Sequence, residues 1–328
     1  MVVITGATGL LGRSILEKFS NEAIDVIAFH RHSSVRPAVE NTSKVRWVEC
    51  DVLDIHSLTE HIPIGATVIH AAAHVSFHTG ERDKLFKTNV EGTTNIVNVC
   101  LTNQARLIHI SSVAALGRQK SIQEVDETAT WVESPLNSSY GESKHLAELE
   151  VYRGIEEGLK ATIVCPSFIL AATNWDQSSA QIFKYVWHER KFYSGGFANY
   201  VDVRDVVQII SKIFQQPEQH DGERYIASAG AISYQQLFTK IAHYLGKRAP
   251  SIKISDGLLH TIARLEEIRC FLLGSIPLIT RESVKSAGEK FTYSNKKSII
   301  SFKMEYHSLE ETLQMCCEHY LRAYSTKK

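Results

Sequence analysis

The 328-residue chain has no excess charge of either sign: Lys plus Arg and Asp plus Glu number 36 each. A balanced surface lacks the field that gathers nucleic acid or an anionic membrane, so neither is expected as a partner. No apolar run approaches the ~20 residues that cross a bilayer. The most apolar window, Leu258 to Ile279, is broken by Arg264, Glu266, Glu267 and Arg269, which makes it an amphipathic lid or packing segment rather than an anchor. The six cysteines (50, 100, 165, 270, 316 and 317) show no C-x-x-C spacing. Three of them, Cys50, Cys100 and Cys165, fall in predicted strands or helices, where cysteine behaves as a small hydrophobe. A distinctive glycine stretch begins almost at the first residue, so no signal peptide is expected, and a reduced, cytoplasmic setting is the plain reading. Internal repeats and low-complexity tracts are lacking too.

What is there alternates. Apolar, β-rich runs lie at Val2–Thr5, Asp25–Phe29, Val45–Cys50, Thr67–Ile69, Leu107–Ile110 and Ala161–Cys165. Helical patterns separate them near Leu11–Phe19, Ser57–His61, Lys84–Leu101 and Ser139–Glu156. Strands alternating with helices predict an α/β fold, a doubly wound parallel sheet of Rossmann type. Ligands bind such sheets outside the carboxyl ends of the strands. Beyond Pro166 the rhythm changes, and Trp175, Phe183, Tyr185, Trp187, Phe192, Tyr193, Phe197 and Tyr200 crowd a short span around Gly195-Gly196. We expect residues 1–165 to form the dinucleotide-binding part. Residues 166–328 are expected to form a smaller substrate lobe that returns once or twice to the main sheet, with a surface loop from Gln215 to Gly222. The aromatic crowding would suit an apolar carbonyl compound; packing within the lobe explains it equally well.

Two stretches carry chemistry. Val2-Val3-Ile4-Thr5-Gly6-Ala7-Thr8-Gly9-Leu10-Leu11-Gly12 reads as a buried strand, a glycine turn and a helix start. Glycines 6, 9 and 12 let the backbone approach a pyrophosphate at which the helix aims its N–H groups. The spacing is G-x-x-G-x-x-G rather than the generic G-x-G-x-x-G. Later, Tyr140-Gly141-Glu142-Ser143-Lys144 places a phenol and an ammonium one helical turn apart on one face. An ordinary exposed pair has the same spacing, but behind a glycine turn the two together indicate a redox enzyme. A phenol normally ionises near pH 10, and an adjacent ammonium is expected to draw it towards the working range.

In these motifs the chain resembles the extended short-chain dehydrogenase/reductase family, and within it the dihydroflavonol-reductase and 3β-hydroxysteroid-dehydrogenase branch. The resemblance continues in order through His70-Ala71-Ala72-Ala73, Asn89-Val90-Glu91-Gly92-Thr93, Ile110-Ser111-Ser112, Pro166-Ser167-Phe168-Ile169 and Tyr200-Val201-Asp202-Val203-Arg204-Asp205-Val206, covering about two thirds of the chain. It implies catalytic roles for Ser112, Tyr140, Lys144 and Asn89. Tyr140 is the proton donor and Ser112 steadies the substrate oxygen. Lys144 tunes the phenol and holds the nicotinamide ribose, and Asn89 bridges to the lysine through water. Asn89 also has a structural reading, as an amide that kinks its helix. Ser112 is preferred to Ser111 by its distance back from Gly117, leaving Ser111 to support the strand end and touch the cofactor.

The resemblance implies a cofactor cradle of Gly6, Thr8, Gly9, Leu10, Leu11, Gly12, Asp51, Val52, Ala71, Ala72, Ala73, Pro166 and Phe168, shared with Asn89, Ser111, Tyr140 and Lys144. Asp51 and Val52 match the pair that contacts adenine. After the second strand, where NAD-binding members usually carry a carboxylate, the chain reads Phe29-His30-Arg31-His32-Ser33-Ser34, with Arg36 nearby. Arg31 matches the arginine set against a 2′-phosphate, so NADP is the expected cofactor, with NAD as the alternative. His70, His74 and His78 recur every four residues, but Ala71–Ala73 matches a turn against the cofactor, and no metal is expected. The expected reaction is hydride transfer between nicotinamide and an aldehyde, ketone or alcohol. A sugar-nucleotide epimerase or dehydratase with retained cofactor is one rival, and a non-catalytic NADP-sensing protein is the other. Family helices matching Lys84–Leu101 and Ser139–Glu156 pair across a two-fold axis. Here Leu146, Leu149 and Tyr152, beside Ala147 and Val151, make an apolar stripe wider than sheet packing needs, so a homodimer is expected.

Overall fold

A computed structural model of the chain describes residues 1–38, 41–76, 79–117, 124–175, 178–254 and 291–325. The Leu258–Ile279 segment, Cys270 and His78 lie outside the described residues.

Seven short strands make one parallel sheet. They are β1 (Val2–Thr5), β2 (Val26–His30), β3 (Val45–Glu49), β4 (Thr67–His70), β5 (Arg106–Ile110), β7 (Ala161–Pro166) and β11 (Arg224–Ala227), in the spatial order 3-2-1-4-5-7-11. The order reverses between β1 and β4, and at such a switch point the strand ends open a crevice for a ligand. Register runs Thr5–His70–His109–Ile163–Arg224 across the sheet, from the carboxyl ends of β1 and β4 to the amino end of β11. The strands are apolar on both faces, as a sheet covered on both sides requires.

One face packs against α1 (Leu10–Asn21) and α7 (Val203–Gln215), which bury Leu11, Ile15, Leu16 and Phe19, and Val206, Ile209, Ile210 and Ile213, at helical spacing. The other face packs against α2 (Ile55–His61), α4 (Gly92–Thr102) and α5 (Ser139–Glu156). The α5 helix starts at Ser138, whose hydroxyl accepts the Gly141 N–H at 3.0 Å. The long predicted helix Lys84–Leu101 is instead three pieces: α3 (Arg82–Phe86), one π turn (Lys87–Glu91) and α4. Asn89 sits in the π turn, where its carbonyl takes the Thr93 hydroxyl at 2.6 Å. Cys50, Cys100 and Cys165 are all buried, as small hydrophobes should be.

Besides the short strands β6 (Glu124–Val125) and β9 (Phe192–Ser194), a small sheet of β8 (Phe168–Leu170), β10 (Phe197–Asp202) and β12 (Gly230–Ser233) forms after Pro166, joined by α6 (Gln181–Trp187) and α8 (Tyr234–Leu245). The chain returns to the large sheet with α7 and β11. It ends, through α9 (Lys296–Phe302), in α10 (Leu309–Ser325). The aromatic crowding resolves as packing. Trp175 stacks on Tyr324 at 3.6 Å and on Tyr320 at 5.3 Å, Phe183 lies against Tyr320, and Tyr185 against Phe238. Of the eight crowded aromatics, Trp175 and Phe183 are fully interior.

Charged side chains occupy the outer edge of β11. Glu127 accepts the Ile226 N–H at 2.8 Å, and Lys297 donates to the Arg224 carbonyl at 2.8 Å. No helix of the described residues is long and apolar enough to span a membrane.

Candidate active site

The first turn of the chain makes the phosphate end. Gly6 has φ +69°, and a Cβ there would lie 2.7 Å from the Ala72 backbone. A Cβ on Gly12 would lie 2.1 Å from the Gly6 carbonyl oxygen, so side chains are excluded at both places. Helix α1 begins at Gly9 with no capping side chain and no acidic residue in its first turn. The N–H groups of Leu10, Leu11 and Gly12 thus stand at a bare, positive helix end, a fit for a pyrophosphate. Thr8 lies in the same turn, half-buried. Ala71 and Ala72 cross directly over it. The Ala71 N–H donates to the Thr5 carbonyl at 3.2 Å and the Ala72 N–H to the Thr5 hydroxyl at 3.2 Å. Residues 71–76 have no helical structure, so His70 and His74 share no helix face.

At the adenosine end, Arg31 and Arg36 are exposed, and the Arg31–Ser34 turn closes through a 2.9 Å bond from Ser34 N–H to Arg31 carbonyl. No carboxylate occurs in this turn, but Glu49 arrives from β3 and meets His32 at 3.2 Å. Local sequence could not have shown that approach, because it depends on the register of β2 with β3. Asp51 accepts the Leu53 N–H at 3.0 Å. Val52 is buried against Gly92, and its carbonyl takes the Asn95 amide at 3.1 Å. Pro166 ends β7, buried, and Phe168 opens β8 beside Tyr200.

The reacting end gathers on three consecutive residues of the β5 terminus. The Ile110 carbonyl accepts Lys144 Nζ at 2.8 Å, the Ser111 hydroxyl donates to Glu148, and the Ser112 hydroxyl bonds the Tyr140 phenol while accepting the Ala114 N–H at 3.1 Å. Tyr140, Lys144 and Glu148 stand at successive turns of α5, on one stripe. Asn89 donates to the His74 carbonyl and to the Ser143 hydroxyl, both at 3.0 Å, and accepts the His74 N–H at 2.7 Å. Its amide therefore ties the π turn to the chain after β4 and to α5.

One expectation is overturned in this structure. Burial pushes the Tyr140 phenol up to about 12, with only the Ser112 hydrogen bond opposing it. The Lys144 ammonium does not draw it down, because that ammonium is turned onto Ile110. Burial pushes Lys144 itself down to about 8, against the pull of Glu148. The Tyr140 phenol is thus protonated at neutral pH.

Sequence reasoning missed the layer beneath. His70 bonds Thr5 at 2.7 Å and Thr93 at 3.1 Å, and burial pushes it down to about 3. His109 lies 5.4 Å away ring to ring, also buried, with neither nitrogen hydrogen-bonded among the described residues. Glu148 is paired with Arg224 at 2.9 Å and also takes the Cys165 thiol at 3.3 Å. The position of Glu148, four residues beyond Lys144, was a usable signal; Arg224, from a distant strand, gave none.

A glycine turn thus lies at the switch point, with Ser112, Tyr140 and Lys144 converging at the next strand end. The chain belongs to the NAD dependent epimerase/dehydratase family, whose model matches residues 2–227. It is an NAD(P)-dependent enzyme of oxidoreductase type, with the Rossmann fold and the dihydroflavonol-reductase resemblance read from its motifs. A putative dihydroflavonol 4-reductase from Synechocystis is 28% identical over 94% of this chain and 91% of its own length. Among solved structures, gox2253 superposes with a TM-score of 0.82 at 24% identity, covering 99% of this chain and 98% of that one. The dTDP-glucose 4,6-dehydratase DesIV of Streptomyces venezuelae superposes with a TM-score of 0.79 at 16% identity, over 99% and 98% of the two chains. Likenesses at such identities speak for the fold.

Proposed function

We propose that the protein is an NADP-dependent reductase of an aldehyde or ketone. The carrying observation is the Ser112–Tyr140 hydrogen bond beside buried Lys144, with the phenol held protonated. Bound NADPH supplies a hydride to the carbonyl carbon. Tyr140 and Ser112 then both face the carbonyl oxygen. The serine hydroxyl steadies the growing charge, and the phenol gives the proton that completes the alcohol. The opposite direction asks Tyr140 to act as a base, which a phenol near 12 resists until ligands and Lys144 lower it. Ser111, with its hydroxyl spent on Glu148, supports the strand end and reaches the cofactor by its backbone at most. The fold from Pro166 onward would form the substrate side.

Exposed Arg31 and Arg36 support NADP over NAD, since a guanidinium suits a phosphate dianion and a nearby carboxylate, Glu49, is engaged by His32. A homodimer is supported by the α5 stripe. Ala147 and Val151 are fully buried on the sheet, but Leu149 remains 46% exposed, with Leu146 and Tyr152 half-buried. The described cysteines are all unpaired and buried, which fits a reducing, cytoplasmic compartment.

The test is a panel of aldehydes and ketones with NADPH, followed by nicotinamide absorbance. Net NADPH consumption with at least one apolar carbonyl is expected. Tyr140→Phe should cut that rate by about 10²–10⁴ and leave NADPH affinity nearly unchanged. A cofactor that stays bound through purification, with sugar nucleotides converted and no NADPH consumed, would instead establish the epimerase/dehydratase reading.

A further inference from the structure

Beneath the proposed catalytic residues lies an interior row of charges that the carbonyl chemistry leaves unused. Lys144 is 2% exposed and Glu148 1% exposed. Arg224 reaches in from β11 to Glu148 at 2.9 Å, and its second terminal nitrogen donates to the Glu127 carbonyl at 2.5 Å and to the Ala129 carbonyl at 3.0 Å. The order is cation, anion, cation. A buried ammonium without a facing anion is expensive, and one backbone carbonyl does not offset that cost. Glu148 is one helical turn from Lys144 on the same stripe of α5, and Ser111 fixes its carboxylate immediately beside the carbonyl that receives Lys144.

We propose that Glu148, clamped between Arg224 and Ser111, is a positioning residue that keeps Lys144 charged and seated on the β5 terminus. Arg224 divides the carboxylate's field, so the two partners of the pair act on Lys144 with opposite sign. The effect on turnover rests on the reductase reading; the effect on Lys144 does not.

The other titratable groups facing this row are His70 on β4, His109 on β5 and Cys165 on β7, with Tyr140, His145 and Tyr152 on α5 itself and the carboxylates of Asp126, Glu127, Glu133 and Glu223 towards the Arg224 end. His70 and His109 are held neutral by burial, with Lys144 adding to the effect. Burial likewise holds the thiol and the two phenols in their uncharged forms. His145 is lowered by burial and feels both Glu148 and Arg224. Among these, Glu148 is the charge that favours the lysine's protonated form most.

The measurement is an NMR titration of ¹³C-labelled lysine side chains in the protein free of cofactor and substrate, with the Lys144 resonance identified by its loss in Lys144→Met. Glu148→Gln should lower the Lys144 midpoint by about one pH unit, the scale of a neighbouring opposite charge. Arg224→Gln, which frees the carboxylate, should raise it. A purely structural ion pair predicts no such opposition. Midpoints unmoved in both variants, or moved the same way, overturn the proposal. If Glu148→Gln does not fold, the sign of the Arg224→Gln change decides alone, a rise supporting the proposal and anything else overturning it. Loss of fold in both variants assigns the pair to stability alone and overturns it as well. Absence of carbonyl turnover would sink the reductase reading while leaving this titration readable.

Discussion

At the scale of residues, two side chains carry the proposed chemistry in opposite states. Tyr140 is a reluctant acid because partial burial raises its phenol, and the Ser112 hydrogen bond opposes that rise. Arg31 is the reverse, a guanidinium at the surface whose value appears only when an anion arrives. Arg31→Ala is therefore expected to weaken NADPH binding by about 1.5–3 kcal/mol, the worth of a charge-assisted hydrogen bond, and to leave NADH almost untouched. Fluorescence titration with both cofactors measures this. Equal affinity of the unaltered protein for the two would remove the argument for NADP.

At the scale of elements, β4 and β5 carry a pair of imidazoles under the site that ordinary acid should attack. His70 and His109 are held below the usual 6.5 by burial first, then by Lys144. Below pH 6.5 the unfolded chain takes up protons at these rings, whereas the folded protein resists until about pH 3 at His70. Their contribution to stability is thus complete above pH 6.5 and lost progressively as pH falls. Since His109 makes no hydrogen bond among the described residues, His109→Leu should cost little at pH 7 and flatten the acid limb. Urea midpoints measured from pH 7 down to pH 4 check it; curves that stay parallel to the unaltered protein's refute it.

Other elements show what could be read in advance. Val2–Thr5 and Ser139–Glu156 form as the pattern predicts, because one is uniformly apolar and the other has a serine cap followed by an unbroken helical stripe. The break at Lys87–Glu91 was foreshadowed only by the reading of Asn89 as a helix-kinking amide, since the π turn goes with Asn89 reaching sideways to His74 and Ser143 rather than with any local propensity. Tyr140, Lys144 and Ser112 were legible as types at a spacing. Which way Lys144 points was not, because the Ile110 carbonyl that takes it becomes a neighbour only once α5 packs on β5.

At the scale of the whole molecule, the uncovered part of the α5 stripe asks for a partner. Leu149 and its half-buried neighbours are flanked by Arg153, which bonds Asn98 on α4 at 2.8 Å and Glu157 at 2.8 Å, so an apolar strip lies within a polar rim. A two-fold pairing of α4 and α5 with their copies would cover it on both chains. Sedimentation at micromolar protein is expected to show a dimer that Leu149→Asp weakens. A single species at monomer mass, unchanged by saturating NADPH, leaves the dimer without support. The far end of the sheet bears on the same question. A strand at a sheet's rim invites a stranger's strand to extend the ladder, and this is how many soluble proteins come out of solution. With Glu127 already holding the Ile226 N–H and Lys297 the Arg224 carbonyl, β11 has little left to offer an intruder. Copies of this chain that meet at the β11 rim therefore find its outward backbone groups already taken.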